Sequence, residues 1–234
     1  MLQAALFELE GVLVDTHATR REALCGALAD DGVELAPDRF DAWCAGLPVE
    51  LAVAAAVRRL APEQPAAAAL DDTARELVVL RAERSAVGRL AAGASLVPGV
   101  RATLDVLAGT LRLALVTRAR RREVEAVLAL SGLEAHFSSV VTADDARTPK
   151  PSPDAHRAAL ARLARHGITS SGAVAFEDAA PGAVAARAAG VRVVLVAPAS
   201  AASAPVGADA RLPTIAGLTP RSLAALLDLA PVQP

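Results

Sequence analysis

Apolar residues along this chain change their rhythm once. Ala4 to Leu9 is a short apolar run that stops at a turn residue, Gly11, and it predicts a first strand. From about Thr16 to Ala92 no run reads as a strand, and the stretch reads as helical pieces that begin near Thr16, near Asp38, at Pro48 and near Asp71. Proline or glycine separates most of them. After Pro98-Gly99 the texture alternates. A helix over Val100 to Ala108 precedes an apolar strand over Leu111 to Val116, a helix over Arg120 to Leu130 and a short strand over Ser138 to Thr142. A helix over Asp154 to Arg165, a strand over Ala173 to Phe176, a helix over Pro181 to Ala189 and a β-branched strand over Val191 to Val196 follow. One more short strand is expected around Ala210-Arg211-Leu212, and the Ala/Ser/Pro-rich segment from Ala197 to Gly207 reads as a surface loop. Repeated strand and helix at this spacing predicts an α/β fold, a doubly wound parallel sheet with helices on both faces. The expected architecture is a core domain over 1–15 and 95–234, interrupted after its first strand by an α-helical domain over 16–94.

Composition narrows the classes. The chain has 234 residues, enough for a core plus an insert, and 53% of them are hydrophobic, much of this alanine. No apolar run approaches the roughly 18 to 20 residues that a membrane helix needs, so no membrane partner is expected. The first residues meet Glu8 and Glu10 without a basic region before them, which predicts no secretory leader and a cytoplasmic location. A net charge of −2, 2% aromatic residues and no tyrosine argue against a nucleic-acid groove lined with stacking rings. The cluster Arg118, Arg120, Arg121 and Arg122 reads instead as a solvated helix start. Cys25 and Cys44 belong to no metal or disulfide spacing and read as small hydrophobes. His136, His156 and His166 are scattered and read as surface residues, while Phe40 and Trp43 read as core of the helical domain.

One basic residue stands apart. Of the 24 basic side chains, Lys150 is the one lysine, and it sits between Pro149 and Pro151. A compact ammonium on a stiffened backbone suits a phosphoryl oxygen in a tight pocket. In open parallel sheets, ligands bind at the carboxyl ends of the strands. Glu8 and Glu10, Thr117, the path through Asp144-Asp145 to Lys150, and Glu177-Asp178 all fall at such ends. Each has a plainer use when taken singly. Glu8 and Glu10 suit the solvent face of an edge strand, Thr117 a helix cap, and Glu177-Asp178 the positive end of the following helix. Together they outline a site for phosphate and a divalent cation.

In that order and spacing the chain resembles the haloacid dehalogenase superfamily, in its phosphatase and phosphoglucomutase-like branch with a helical cap. The resemblance is carried by Phe7-Glu8-Leu9-Glu10-Gly11-Val12-Leu13-Val14-Asp15-Thr16, by Leu115-Val116-Thr117, by Lys150-Pro151 with Pro153-Asp154, and by Phe176-Glu177-Asp178 followed by Pro181-Gly182 and Ala188-Ala189-Gly190. It implies that Glu8 takes the place of the nucleophile and Glu10 that of the acid/base. It further implies that Thr117 and Lys150 bind phosphate, and that Asp178, with Glu177 supporting or ligating, joins Glu8 and the Glu10 carbonyl around Mg2+. The implied partner is a small phosphorylated substrate, and the implied activity is phosphoric monoester hydrolysis through an acyl-phosphate.

The family pattern has aspartate where this chain has Glu8 and Glu10. Each glutamate adds a bond of about 1.5 Å between backbone and carboxylate. A misplacement of about 1 Å can cost on the order of 100-fold in rate. Three alternatives follow: a phosphohydrolase with an adjusted pocket, an impaired member that binds phosphorylated ligands without efficient turnover, and another chemistry of the superfamily. Mutase chemistry is the poorer match, because Arg20 and Val49 fall where the related mutases carry a histidine and an arginine. Dehalogenation is disfavoured by Glu177-Asp178, since displacing a halide needs no metal.

Overall fold

The computed structural model describes residues 1–92, 96–197 and 207–228. Two units partition the chain: Met1–Asp15 with Ser95–Pro234, and Thr16–Ala94. The first unit is built on six parallel strands, β1 (Ala4–Phe7), β2 (Arg112–Val116), β3 (Phe137–Val141), β4 (Ala173–Glu177), β5 (Arg192–Val196) and β6 (Ala210–Leu212). Their spatial order is β3-β2-β1-β4-β5-β6. β1 is therefore central, flanked by β2 and β4, and all four of its residues are buried. An apolar run without polar alternation is what a strand covered on both faces requires. The Phe7 and Phe176 rings stack across the β1–β4 pair at 4.8 Å between centroids.

The helical unit runs as α1 (His17–Ala29), α2 (Pro37–Trp43), α3 (Val49–Leu60), α4 (Pro65–Ala69) and α5 (Asp72–Ala92). α1 and α5 pack along one another around a core that includes Leu24, Leu28, Phe40, Val53, Leu60 and Val78. Phe40 is buried, as its sequence position suggests, but Trp43 is only partly so, with the Arg39 and Arg59 guanidiniums 5.2 and 5.5 Å from its ring centroid. The Gln64 amide pairs with both backbone groups of Glu34 at 2.8 Å, joining the α3–α4 connection to the loop after α1.

Around the sheet lie α6 (Val100–Ala108), α7 (Arg121–Ser131), α8 (Asp154–Leu163), α9 (Ala180–Ala188) and α10 (Pro220–Leu226). Element boundaries differ from the sequence expectation by one or two residues in most cases. β1 ends at Phe7 rather than Leu9, because the chain turns there: Leu13 and Val14 both donate to the Leu9 carbonyl. The helix after the third strand stops at Leu163 and tightens into a 3-10 turn over Ala164–His166. Two short helices, α4 and α10, have no counterpart in the sequence expectation, since five and seven residues are too few to establish a period. Most of the segment read as a surface loop, 198–206, lies outside the described residues. Among the described residues, no helix is long and apolar enough to cross a membrane.

Candidate active site

The strand order reverses between β1 and β4: the chain winds outward through β2 and β3 on one side of β1 and then crosses to β4 on the other. Loops that leave the carboxyl ends of those strands in opposite directions open a crevice there, the general ligand position of this architecture. Glu8 follows β1 directly and Glu177 is the last residue of β4, so the two carboxylates face one crevice from adjacent strands. Register fixes them, with the Glu8 N–H donating to the Phe176 carbonyl at 2.9 Å. Glu8 is thus no solvent-face residue of an edge strand. It is 1% exposed on the central strand of the sheet.

Between these carboxylates stands Lys150. Its ammonium donates to Glu8 Oε2 at 2.8 Å, to Glu177 Oε1 at 2.7 Å and to the Val116 carbonyl at 2.9 Å, which uses its three protons. The loop that carries it includes a cis Lys150–Pro151 bond. Burial works against the charged ammonium, but Glu177 and Glu8 outweigh it and hold the Lys150 pKa above its ordinary value. Burial likewise opposes charge on Glu8, yet Lys150, Arg118 and hydrogen bonds from Lys150 and Thr117 keep its carboxyl below the usual range. The free energy of such a pair is a balance between desolvation and attraction, and losing one member leaves the other uncompensated.

Thr117 follows β2, held by its N–H donating to the Val141 carbonyl at 3.0 Å. Its hydroxyl accepts from the Ala119 N–H at 3.1 Å, and the N-cap of α7 is Arg120, so Thr117 does not cap that helix. Asp144 and Asp145, which the sequence places on the same rim, are engaged elsewhere. Asp144 accepts from the Arg121 N–H and pairs with Arg120, while Asp145 pairs with Arg121 and Arg162. The arginine cluster is therefore partly spent on these pairs rather than simply solvated.

Glu10 lies in the turn after β1, between the ladder and Gly11, whose φ of 71° is the left-handed conformation that glycine adopts without strain. A side chain at Gly11 would also bring its Cβ within 2.8 Å of Asp178 Oδ2. Asp178 is partly buried beside Glu8, Glu177 and Glu10. Burial, chiefly, and those carboxylates push its pKa up to about 7, against a lowering by Arg118. An accumulation of negative charge on hard oxygen donors is the environment a divalent cation such as Mg2+ would relieve. The donor chemistry of Asp178, Glu8 and Glu10 therefore fits such an ion. Among the described residues, no three His, Cys, Asp or Glu side chains already stand in a ligand arrangement.

One residue of the site escaped the sequence expectation. His156, read there as a surface residue, is fully buried on α8, and its Nε2 lies 2.9 Å from Glu177 Oε1. The available signal was its spacing from Ala159 and Leu163, three and seven positions on, the buried face of that helix. Gly182, part of the Pro181-Gly182 pair noted in the sequence, now has a role: a Cβ there would overlap Glu177 Oε2, so its missing side chain makes the space in which Glu177 lies.

Comparison with known proteins agrees with this fold. The sequence pattern of the family described as haloacid dehalogenase-like hydrolase matches residues 5–196. A plasmid-borne phosphoglycolate phosphatase of Cupriavidus necator is 34% identical over 229 residues, covering 94% of this chain and 95% of that protein. Protein CbbY of Rhodobacter capsulatus is 29% identical over 204 residues, covering 83% of this chain and 85% of its own. Among solved structures, CbbY from Rhodobacter sphaeroides in complex with xylulose-(1,5)bisphosphate superposes with a TM-score of 0.77 at 25% identity, covering 93% of this chain and 96% of that one.

Proposed function

The chain belongs to the haloacid dehalogenase-like hydrolase family, and we propose that it is a phosphohydrolase acting on a small phosphorylated metabolite. The observation that carries this is the buried Lys150 ammonium bridging Glu8 and Glu177, with Thr117 on the neighbouring strand end. It puts a charged donor and a carboxylate nucleophile on the same few ångströms of space.

Glu8, kept ionised by Lys150, attacks phosphorus. The new bond joins a Glu8 carboxylate oxygen to phosphorus, while the bond from phosphorus to the leaving oxygen breaks. Glu10 gives its proton to that oxygen. It then takes a proton from water as the water oxygen attacks phosphorus, releasing inorganic phosphate and restoring the Glu8 carboxylate. Lys150 and Thr117 hold the equatorial phosphoryl oxygens, so Lys150 exchanges its Glu8 contact for one to substrate as the nucleophile is freed. Asp178, Glu8 and the Glu10 backbone carbonyl would hold Mg2+, which supplies charge neutralisation around the transferring group. Glu177 serves the site by holding Lys150. The helical unit, 16–94, takes the role of a cap that selects the substrate.

A second reading, binding without efficient turnover, is favoured by one detail. Both oxygens of Glu8 are engaged, Oε1 by the Leu9 N–H at 2.8 Å and Oε2 by Lys150. The added methylene lets the carboxylate fold back on its own neighbour. The two readings separate in one assay: phosphate release from a panel of sugar and small-acid phosphates, with magnesium, for wild type and Glu8→Gln. Turnover by wild type that falls by at least about 100-fold in the variant supports hydrolysis. Ligand-dependent thermal stabilisation with no turnover supports binding alone, and turnover equal in both proteins removes Glu8 from the reaction.

A further inference from the structure

α8 packs its inward face against the sheet with Ala155, Ala159 and Leu163, and an apolar residue at position 156 would continue that face. His156 stands there instead, fully buried, with Nδ1 making no hydrogen bond to the protein. An imidazole in such a place costs desolvation, which only its other nitrogen can offset. A carboxylate oxygen accepts, so the His156 Nε2–H is the donor in this contact. That one oxygen takes two donors: His156 at 2.9 Å and Lys150 at 2.7 Å. The other, Oε2, is buried without a partner in the space left by Gly182. Lacking a bond on Oε2, the Glu177 carboxylate has His156 and Lys150 to define its angle.

We propose that His156 is a positioning residue, which fixes the Glu177 carboxylate so that Glu177 in turn holds the Lys150 ammonium at its post between β1 and β4. The consequence for phosphate rests on the function proposed above. If Lys150 binds a phosphoryl oxygen while releasing Glu8, the Val116 carbonyl and Glu177 remain to hold it, Glu177 being the charged one of the two, and a Glu177 free to turn would let it drift.

The chain tests this unusually cleanly, since Lys150 is its one lysine and lysine labelled with 15N gives a single Nζ resonance. His156→Leu keeps an apolar filling and removes the donor, whereas His156→Gln keeps an N–H within similar reach. The Nζ resonance should shift or broaden in the leucine variant and return toward wild type in the glutamine variant. Affinity for vanadate should fall about tenfold in the first and recover in the second, as expected for one lost hydrogen bond to a charged group. The leucine variant should melt no lower than wild type, which separates positioning from a role in holding the fold. Should it fail to fold, His156→Asn replaces it, an amide too short to reach Glu177. An Nζ resonance unchanged by loss of the donor overturns the proposal, as does a glutamine variant that fails to restore it. If the resonance behaves as expected while no protein, wild type included, binds vanadate, the positioning role stands and the phosphate site is refuted.

Discussion

At the scale of single residues, the chemistry turns on two methylenes. Glu8 is anchored by a central strand and cannot retreat, so its longer side chain must fold, and it does so onto Leu9 N–H and Lys150. Shortening it should restore an in-line approach, and shortening Glu10 should restore the reach of the acid/base. Glu8→Asp/Glu10→Asp should hydrolyse a generic aryl phosphate with magnesium at least about tenfold faster than wild type, a barrier about 1.4 kcal/mol lower. Steady-state kinetics checks this, with each single change expected to give much less than the pair because both groups serve one step. A wild type faster than the double variant would mean that the pocket has adapted to glutamate. The grouping of these residues was legible because an open parallel sheet brings the carboxyl ends of its strands together: Glu8, Thr117, Lys150 and Glu177 come together as their order implied. His156 was not, because a histidine within an alanine-rich helix looks the same in sequence whether its partner is water or a carboxylate 21 positions away.

At the scale of elements, small departures from local preference mark where the site presses on the fold. Gly182 lies in the first turn of α9, where alanine would ordinarily stabilise a helix by roughly 0.5–1 kcal/mol. Here the sign should reverse. Gly182→Ala would drive a Cβ into Glu177 Oε2, and displacing Glu177 disturbs Lys150 in turn. Urea denaturation should show a loss of stability and vanadate binding should weaken, whereas a variant more stable than wild type would contradict the packing described. A second junction lies after β3. Asp145 accepts from the Thr142 N–H at 2.9 Å, the Thr142 hydroxyl at 3.0 Å, Arg162 at 2.8 Å and Arg121 at 2.7 Å, tying the strand end to α7 and α8. Burial opposes its charge, but these donors prevail and its pKa is lowered. A carboxyl whose folded-state pKa is depressed contributes stability above its unfolded value, about 3.9, and that contribution is lost as pH falls through the folded value. The stability gap between wild type and Asp145→Asn should therefore be open at about pH 7 and close in acid below about pH 4. A gap independent of pH would place the effect of the substitution in packing.

At the scale of the whole molecule, the sequence announced its architecture through one interruption, the helical stretch placed after the first strand. Alternation of strand and helix was legible because β1, β2, β4 and β5 are largely buried apolar runs bounded by turns, whereas β3 and the three residues of β6 are only partly buried. α10 was missed because the chain after Leu212 offers too few periods to read. The fold then explains the site's economy, since one change of direction at β1 brings residues 8, 117, 150 and 177 to a single crevice. In the proposed chemistry everything depends on Glu8 being the group that receives the phosphoryl. The most direct test is an acid-quenched single turnover with enzyme in excess over a turned-over phosphate ester, followed by peptide mass spectrometry, using Glu10→Gln to slow release of the intermediate. A phosphoryl group on the peptide, localised to Glu8, is the predicted result. Substrate consumed with no phosphoryl on Glu8, or with it on another residue, would contradict the account.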